Sequence, residues 1–102
     1  MAIVEISVIP LGTKTPSVSR YVAEALKILE RARGIKYELT PMGTIIEGDL
    51  DKVLDLAKRM HEAVFGKEIM RVVTIIKIDD RRDKPLSMEG KVKSIQDKLS
   101  RG

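Results

Sequence analysis

Two short β-patterned stretches joined by a Pro-Met-Gly turn constrain this chain more than any other feature. They run Tyr37-Glu38-Leu39-Thr40-Pro41-Met42-Gly43-Thr44-Ile45-Ile46-Glu47-Gly48-Asp49. Pro41 falls where a ladder donor is not wanted, and Gly43 accepts turn angles that a β-branched residue would resist. A helical pattern lies on each side of the hairpin, and a further strand pattern lies beyond each helix. The hairpin is therefore the centre of a repeated β-α-β unit. It also carries Glu38, Thr40, Thr44 and Glu47, more polar groups than a strand pair needs for core packing alone. That density makes it the first place to seek a site.

The flanking elements follow from periodicity. Ile3 to Ile9 alternate, with Val4, Ile6 and Val8 on an aliphatic face and Glu5 and Ser7 on a mixed one. Pro10 to Lys14 reads as a loop. Thr15 is expected to cap a helix that starts at Pro16, with Val18, Val22, Ala25, Leu26, Leu29 and Ala32 as its apolar stripe and Gly34 as its end. Strands are expected over 35–40 and 44–48. Asp49 should cap a second helix whose stripe is Leu50, Val53, Leu54, Ala57, Met60 and Val64. A β-branched strand over 70–78 and a charged loop over 79–85 follow. Ser87 should cap a last helix carrying Met88, Val92, Ile95 and Leu99. The order β-α-β-β-α-β plus a C-terminal helix is the ferredoxin-like pattern, in the α+β class. It predicts one domain over 1–102, with a four-stranded antiparallel sheet and two helices on one of its faces.

Composition narrows the function classes. The absence of cysteine excludes a disulfide framework and thiolate metal sites. No apolar run approaches the ~20 residues of a membrane span. A strand pattern begins at once after Met1 and leaves no room for a signal peptide, so a cytoplasmic location without membrane attachment is expected. The formal charge of +4 is spread over both signs, whereas a nucleic-acid binder concentrates its excess on one element.

Two helices cover only one sheet face. The other face would carry Glu5, Ser7, Glu38 and Thr40, with Arg71, Val73, Ile75 and Lys77 from the fourth strand. A large half-apolar sheet surface is a liability for a small monomer, and a second sheet from another subunit is the natural cover. A homo-oligomer is expected. Polar groups trapped between its sheets must pair internally or bind something small.

The stretches Glu5-Ile6-Ser7-Val8-Ile9-Pro10-Leu11-Gly12, 37–44, Glu47-Gly48-Asp49 and Ile78-Asp79-Asp80-Arg81-Arg82-Asp83 together resemble the small YkoF-like thiamine-binding family. The resemblance runs over almost the whole chain. It implies a ferredoxin-like fold, and face-to-face dimers of sheets that pair into a homotetramer. It also implies binding of thiamine or its hydroxymethylpyrimidine part without catalysis.

The ligand would be an aminopyrimidine, with ring-nitrogen acceptors and an amine donor. Thr40 and Thr44 offer hydroxyls to it, and Glu47 offers a carboxylate to the amine or to the thiazolium charge. Ser7 would leave room on the sheet, and Met42 would give an adaptable apolar contact. Thr40, Thr44 and Glu47 could equally be strand polarity facing water or a neighbouring subunit, and the space at Ser7 could equally serve a close subunit approach. Glu5 and Lys77 read as a cross-strand charge pair. Asp79, Asp80 and Asp83 are interleaved with Arg81, Arg82 and Lys84, which favours a salt-bridge loop over a metal site. His61 has no second histidine or cysteine beside it, so a packed or surface role is expected.

These observations favour a non-catalytic small-molecule binding protein that needs no metal or cofactor. A metabolite-sensing oligomer is the nearest alternative. An RNA-binding module of this topology would show aromatic residues on the open face for base stacking, and the fourth strand has none.

Overall fold

The computed structural model describes residues 1–66 and 68–101. The alternating and helical patterns become β1 (Ala2–Leu11), α1 (Ser19–Glu30), β2 (Lys36–Thr40), β3 (Gly43–Gly48), α2 (Leu50–Val64), β4 (Arg71–Asp79) and α3 (Met88–Ser100). The strands form one antiparallel sheet in the order β2-β3-β1-β4. This is the ferredoxin-like α+β arrangement expected from the pattern. No helix among the described residues is long and apolar enough to cross a membrane.

Register assigns each side chain to a face, because cross-strand partners point the same way. Val4 pairs with Ile46 and Ile78, and Ile6 pairs with Thr44 and Ile76. These even positions of β1 lie under the helices. Val4, Ile6 and Ile46 form the core there with Ala25 and Leu29 of α1 and Val53, Leu56, Ala57, Met60 and Val64 of α2. The odd positions face the uncovered side. There Glu5 stands between Ile45 and Lys77, and Ser7 faces Ile75. The register makes Glu5 and Lys77 cross-strand neighbours as expected, but among the described residues their side chains form no ion pair.

Two of the three caps read from the sequence are made. Asp49 accepts from the amide of Lys52 at 3.3 Å, and Ser87 accepts from the amide of Gly90 at 3.0 Å. Gly34, at φ +76°, makes the left-handed turn after α1.

Four local expectations are corrected. Pro10 and Leu11 belong to β1, paired with Val72 and Arg71, because proline is tolerated where its nitrogen faces no partner strand. The first helix starts at Ser19, with Val18 rather than Thr15 at its N-cap. The hydroxyls of Thr13 and Thr15 instead donate to the carbonyls of Thr15 and Ser17, which holds that stretch in turns. Leu56 is buried in α2, whereas Leu54, two residues earlier, is only half-buried. Gly43 has no positive φ; what it supplies is space, as shown below.

The C-terminal helix stands apart. α3 buries none of its residues, and Val92, Ile95 and Leu99 are exposed. Of the expected stripe only Met88, half-buried at the first turn, meets its own subunit; Val92, Ile95 and Leu99 find no cover there. The Cα radius of gyration is 15.5 Å, against about 13 Å for a compact chain of this length.

Candidate functional site

The site arises from a mismatch in strand length. β3 pairs with β1 only as far as Ile6↔Thr44, whereas β4 accompanies β1 to Leu11↔Arg71. Beyond Ile6, one edge of β1 therefore has no strand beside it. The Pro41–Met42 turn and the start of α1 border the gap. They leave a cleft of ≈ 440 Å³, within the size range of small-molecule sites. Val22 and Ala25 of α1 and Met60 of α2 wall it on the helix side; Ile75 of β4 stands on the open side. Met42, 84% exposed, forms its lip.

Ser7, Thr40, Met42 and Thr44 all line this one cleft. Their polar atoms are not equally available. The Ser7 hydroxyl donates to the carbonyl of Met42 at 3.0 Å. The Thr40 hydroxyl donates to the carbonyl of Gly43 at 2.7 Å and accepts from the amide of Met42 at 3.3 Å. Both donors are therefore occupied in holding the turn. Thr44 differs. It lies on the helix-covered face and is 4% exposed. Among the described residues its hydroxyl has no hydrogen-bond partner, and no buried side-chain polar atom there is sealed without one. Its oxygen therefore opens onto the cleft.

Glu47 lies elsewhere. It belongs to a row across the uncovered face, Lys36–Glu47–Ile3–Asp79. The first turn of α3 closes over that row. Glu47, 6% exposed, accepts from the amide of Met88 at 3.1 Å. Lys91 pairs with Asp79, and Lys36 approaches Glu89 at 4.0 Å. A carboxylate beneath a helix N-terminus is favourably placed against the helix dipole. Within one subunit Glu47 thus anchors α3 and does not line the cleft.

The charged loop after β4 and His61 have structural partners. Arg81 makes a bidentate pair with Asp83, which holds that carboxyl down to about 2. Arg82, hydrogen-bonded to Asp80, likewise lowers the pKa of that carboxyl. Asp80 and Arg81 border two open depressions away from the cleft, one at the start of α2 and one beside α3. His61 Nδ1 lies 2.6 Å from the hydroxyl of Thr74 and its ring meets Phe65 edge-on. It is a packed residue outside the cleft.

The cleft's helix-side wall was not singled out from the sequence. Val22, Ala25 and Met60 were legible only as members of helix stripes. That they border a space depends on where β3 stops, which is a matter of register. Among the described residues, no side chain lining the cleft is ionisable. What it offers a ligand is an apolar slot, hydroxyl oxygens and main-chain groups.

Fold and cleft together define a ferredoxin-like α+β domain with a small-molecule-sized recess at the end of its central hairpin. Residues 4–96 match the family described as thiamine-binding protein, and the chain belongs to that family. The UPF0045 protein YqgV of Bacillus subtilis is 52% identical, over 97% of this chain and 98% of that protein. The UPF0045 protein in the glkA 3′ region of Staphylococcus xylosus is 50% identical, over 100% of this chain and 98% of that one. The crystal structure of hypothetical protein MJ1052 from Methanocaldococcus jannaschii matches with a TM-score of 0.85 at 42% identity, covering 93% of this chain and 95% of that chain.

Proposed function

We propose that this protein binds thiamine, or its hydroxymethylpyrimidine part, in the cleft beneath the Pro41–Met42 turn, and releases it unchanged. The observation that carries the reading is an apolar recess of ≈ 440 Å³ with the open Thr44 hydroxyl in its wall, in a chain of the thiamine-binding protein family. An aminopyrimidine ring is flat and apolar on its faces and has hydrogen-bonding groups at its edge, which suits such a slot. The absence of an ionisable side chain from the lining has two consequences. No general base or acid faces a bound ligand there, which favours binding over turnover. The thiazolium cation also gains nothing inside, so the pyrimidine enters and the cation points outward. Glu47, proposed from the sequence to oppose that charge, could do so only from another subunit.

Calorimetric titration tests the reading. Thiamine and free hydroxymethylpyrimidine should bind with similar affinity. Thr44→Val keeps the branched shape and removes the hydroxyl. It should weaken both by roughly 1–3 kcal/mol, about tenfold to a hundredfold. Glu47→Gln should bind like the parent if one subunit makes the site. Undiminished binding by Thr44→Val would move the pocket elsewhere, and no binding by the parent would remove the ligand assignment.

Assembly into a homo-oligomer, with a homotetramer as the expected state, belongs to the same proposal. Val73 and Ile75 on the uncovered sheet face and Val92, Ile95 and Leu99 on α3 are all exposed in a single subunit. A second copy supplies a cover of matching character. Sedimentation equilibrium at micromolar concentration should show more than one subunit, and Ile95→Asp should shift the distribution to smaller species. A monomeric parent would end this part of the proposal. Aromatic platforms for RNA bases are not found on the uncovered faces of β1 and β4, so a nucleic-acid partner is not proposed.

A further inference from the structure

The edge of β1 that β3 leaves bare holds a pair of main-chain groups that the fold does not use. Its direction follows from two separate features. The Pro41–Met42 turn is a two-residue hairpin loop, so Thr40↔Gly43 is its hydrogen-bonded closing pair. Amide direction alternates along a strand, so Thr44, Ile46 and Gly48 turn their main-chain groups to β1. Their partners Ile6, Val4 and Ala2 then turn theirs to β3. Pro10 gives the same answer independently. It has no amide hydrogen, yet it lies opposite Val72 in the ladder with β4, so its nitrogen faces away from that strand. Val8 lies between Ile6 and Pro10 and shares their direction. Its N–H and C=O therefore point into the gap where β3 has ended. Among the described residues no turn or loop group bonds to either. The carbonyl of Met42, across the gap, is held by Ser7 instead. Val8 itself lines the cleft.

We infer that the main chain of Val8 is the specificity-determining element of this cleft, and that it selects planar heterocycles with an N–H donor beside a ring acceptor. In an extended strand the N–H and C=O of one residue point the same way, side by side. An exocyclic amine next to a ring nitrogen presents the complementary acceptor and donor along one edge. The Val8 carbonyl accepts from the amine, and the Val8 amide donates to the ring nitrogen. The ligand thus takes the place of the missing strand partner for one residue, as in strand addition to an exposed sheet edge. A lone hydroxyl such as Thr44 then adds affinity but cannot read this two-point pattern. The inference rests on the cleft being the thiamine site, and adds how the ring is recognised there.

Three measurements test it. In the free protein, the Val8 amide should exchange with solvent at least about tenfold faster than those of Ile6 and Ser7, which lie in ladders. Saturating thiamine should slow Val8 selectively. Val8→Pro removes the donor at an edge where Pro10 already sits, so it leaves the β4 ladder intact. It should weaken binding of thiamine and of hydroxymethylpyrimidine by about tenfold or more, whereas Val8→Ala, which keeps the amide but trims a side chain that lines the cleft, should lose clearly less than Val8→Pro and, unlike it, still discriminate against a ligand that lacks the amine. An analogue of hydroxymethylpyrimidine with hydrogen in place of the amine should bind the parent poorly and show little further loss in Val8→Pro. If thiamine binds the parent but the Val8 amide is not slowed and the amine-less analogue binds equally well, main-chain recognition is wrong while the cleft assignment stands. Should Val8→Pro fail to fold, the exchange and analogue measurements on the parent decide alone. If the parent binds neither thiamine nor hydroxymethylpyrimidine, this inference and the proposed function fall together.

Discussion

Ile46→Ala is expected to lower the free energy of unfolding by about 2–5 kcal/mol, a large share of the ~5–15 kcal/mol that holds a domain of this size. Ile46 is fully buried. It faces Val4 of β1 on one side and Tyr37 of β2 on the other, beneath the two helices. Removing three carbons there loses their burial and leaves a cavity that central strands cannot readily collapse around. Denaturant titration should show a lower midpoint with an unchanged slope, since the surface exposed on unfolding hardly alters. Ile45→Ala is the control. Ile45 is only half-buried, on the uncovered face, and its truncation should cost clearly less in monomeric conditions. Equal losses at both positions would mean that the register of β3 is wrong by one residue, since a one-residue slip exchanges the two faces.

That dependence on register also marks where the sequence stopped being informative. Alternation in β1 and β4, the two helix stripes and the caps at Asp49 and Ser87 are local patterns, and the chain obeys them. Thr15-Pro16 has the form of a helix start, but its hydroxyl bonds the carbonyl of Ser17 and the helix waits until Ser19. The hairpin was legible as a polar centre, and three of its four candidate residues meet Ser7 of β1 at one cleft. The remaining one, Glu47, was misread for a definite reason. A carboxylate on a strand reads identically whether it faces a ligand or the N-terminus of a helix forty residues downstream, and only the folded chain brings Met88 onto it. The division of labour among the hydroxyls was equally hidden. Ser7 and Thr40 hold the turn while Thr44 is left open, and this depends on which carbonyl lies within reach. The cleft itself arises because β3 begins only at Gly43 while β1, running antiparallel to it, continues to Leu11. Pro10 was the one residue that carried this information, and a proline near a strand end is more easily read as a loop.

Gly43→Val is expected to damage both stability and ligand binding. A Cβ at this position would stand 2.9 Å from the Ser7 hydroxyl and 3.1 Å from the main-chain carbonyl of Ile6. The first contact can be relieved by rotating Ser7, but that breaks its bond to the carbonyl of Met42 and frees the turn. The second involves the backbone of a central strand and is relieved only by moving β3 away from β1. Overpacking of this kind costs about 1–3 kcal/mol. The Pro41–Met42 turn borders the cleft and Gly43 lines it, so thiamine affinity should fall at least about tenfold even at temperatures where the variant remains folded. A double-mutant cycle separates the two contacts. Gly43→Ala, Ser7→Ala and the pair should be compared by denaturant midpoint. If the Ser7 hydroxyl is the main obstacle, Ser7→Ala will relieve most of the cost of the new methyl group. The Ile6 carbonyl lies in rigid ladder backbone, so relief is expected to be partial, with most of the loss remaining in the double variant. Full relief would show that only a rotatable side chain stood in the way, and that the β1–β3 backbone spacing at the cleft tolerates a Cβ. A Gly43→Val protein with parental stability and parental thiamine affinity would mean that the turn is not packed against β1 as described, and the cleft built on that packing would have to be abandoned.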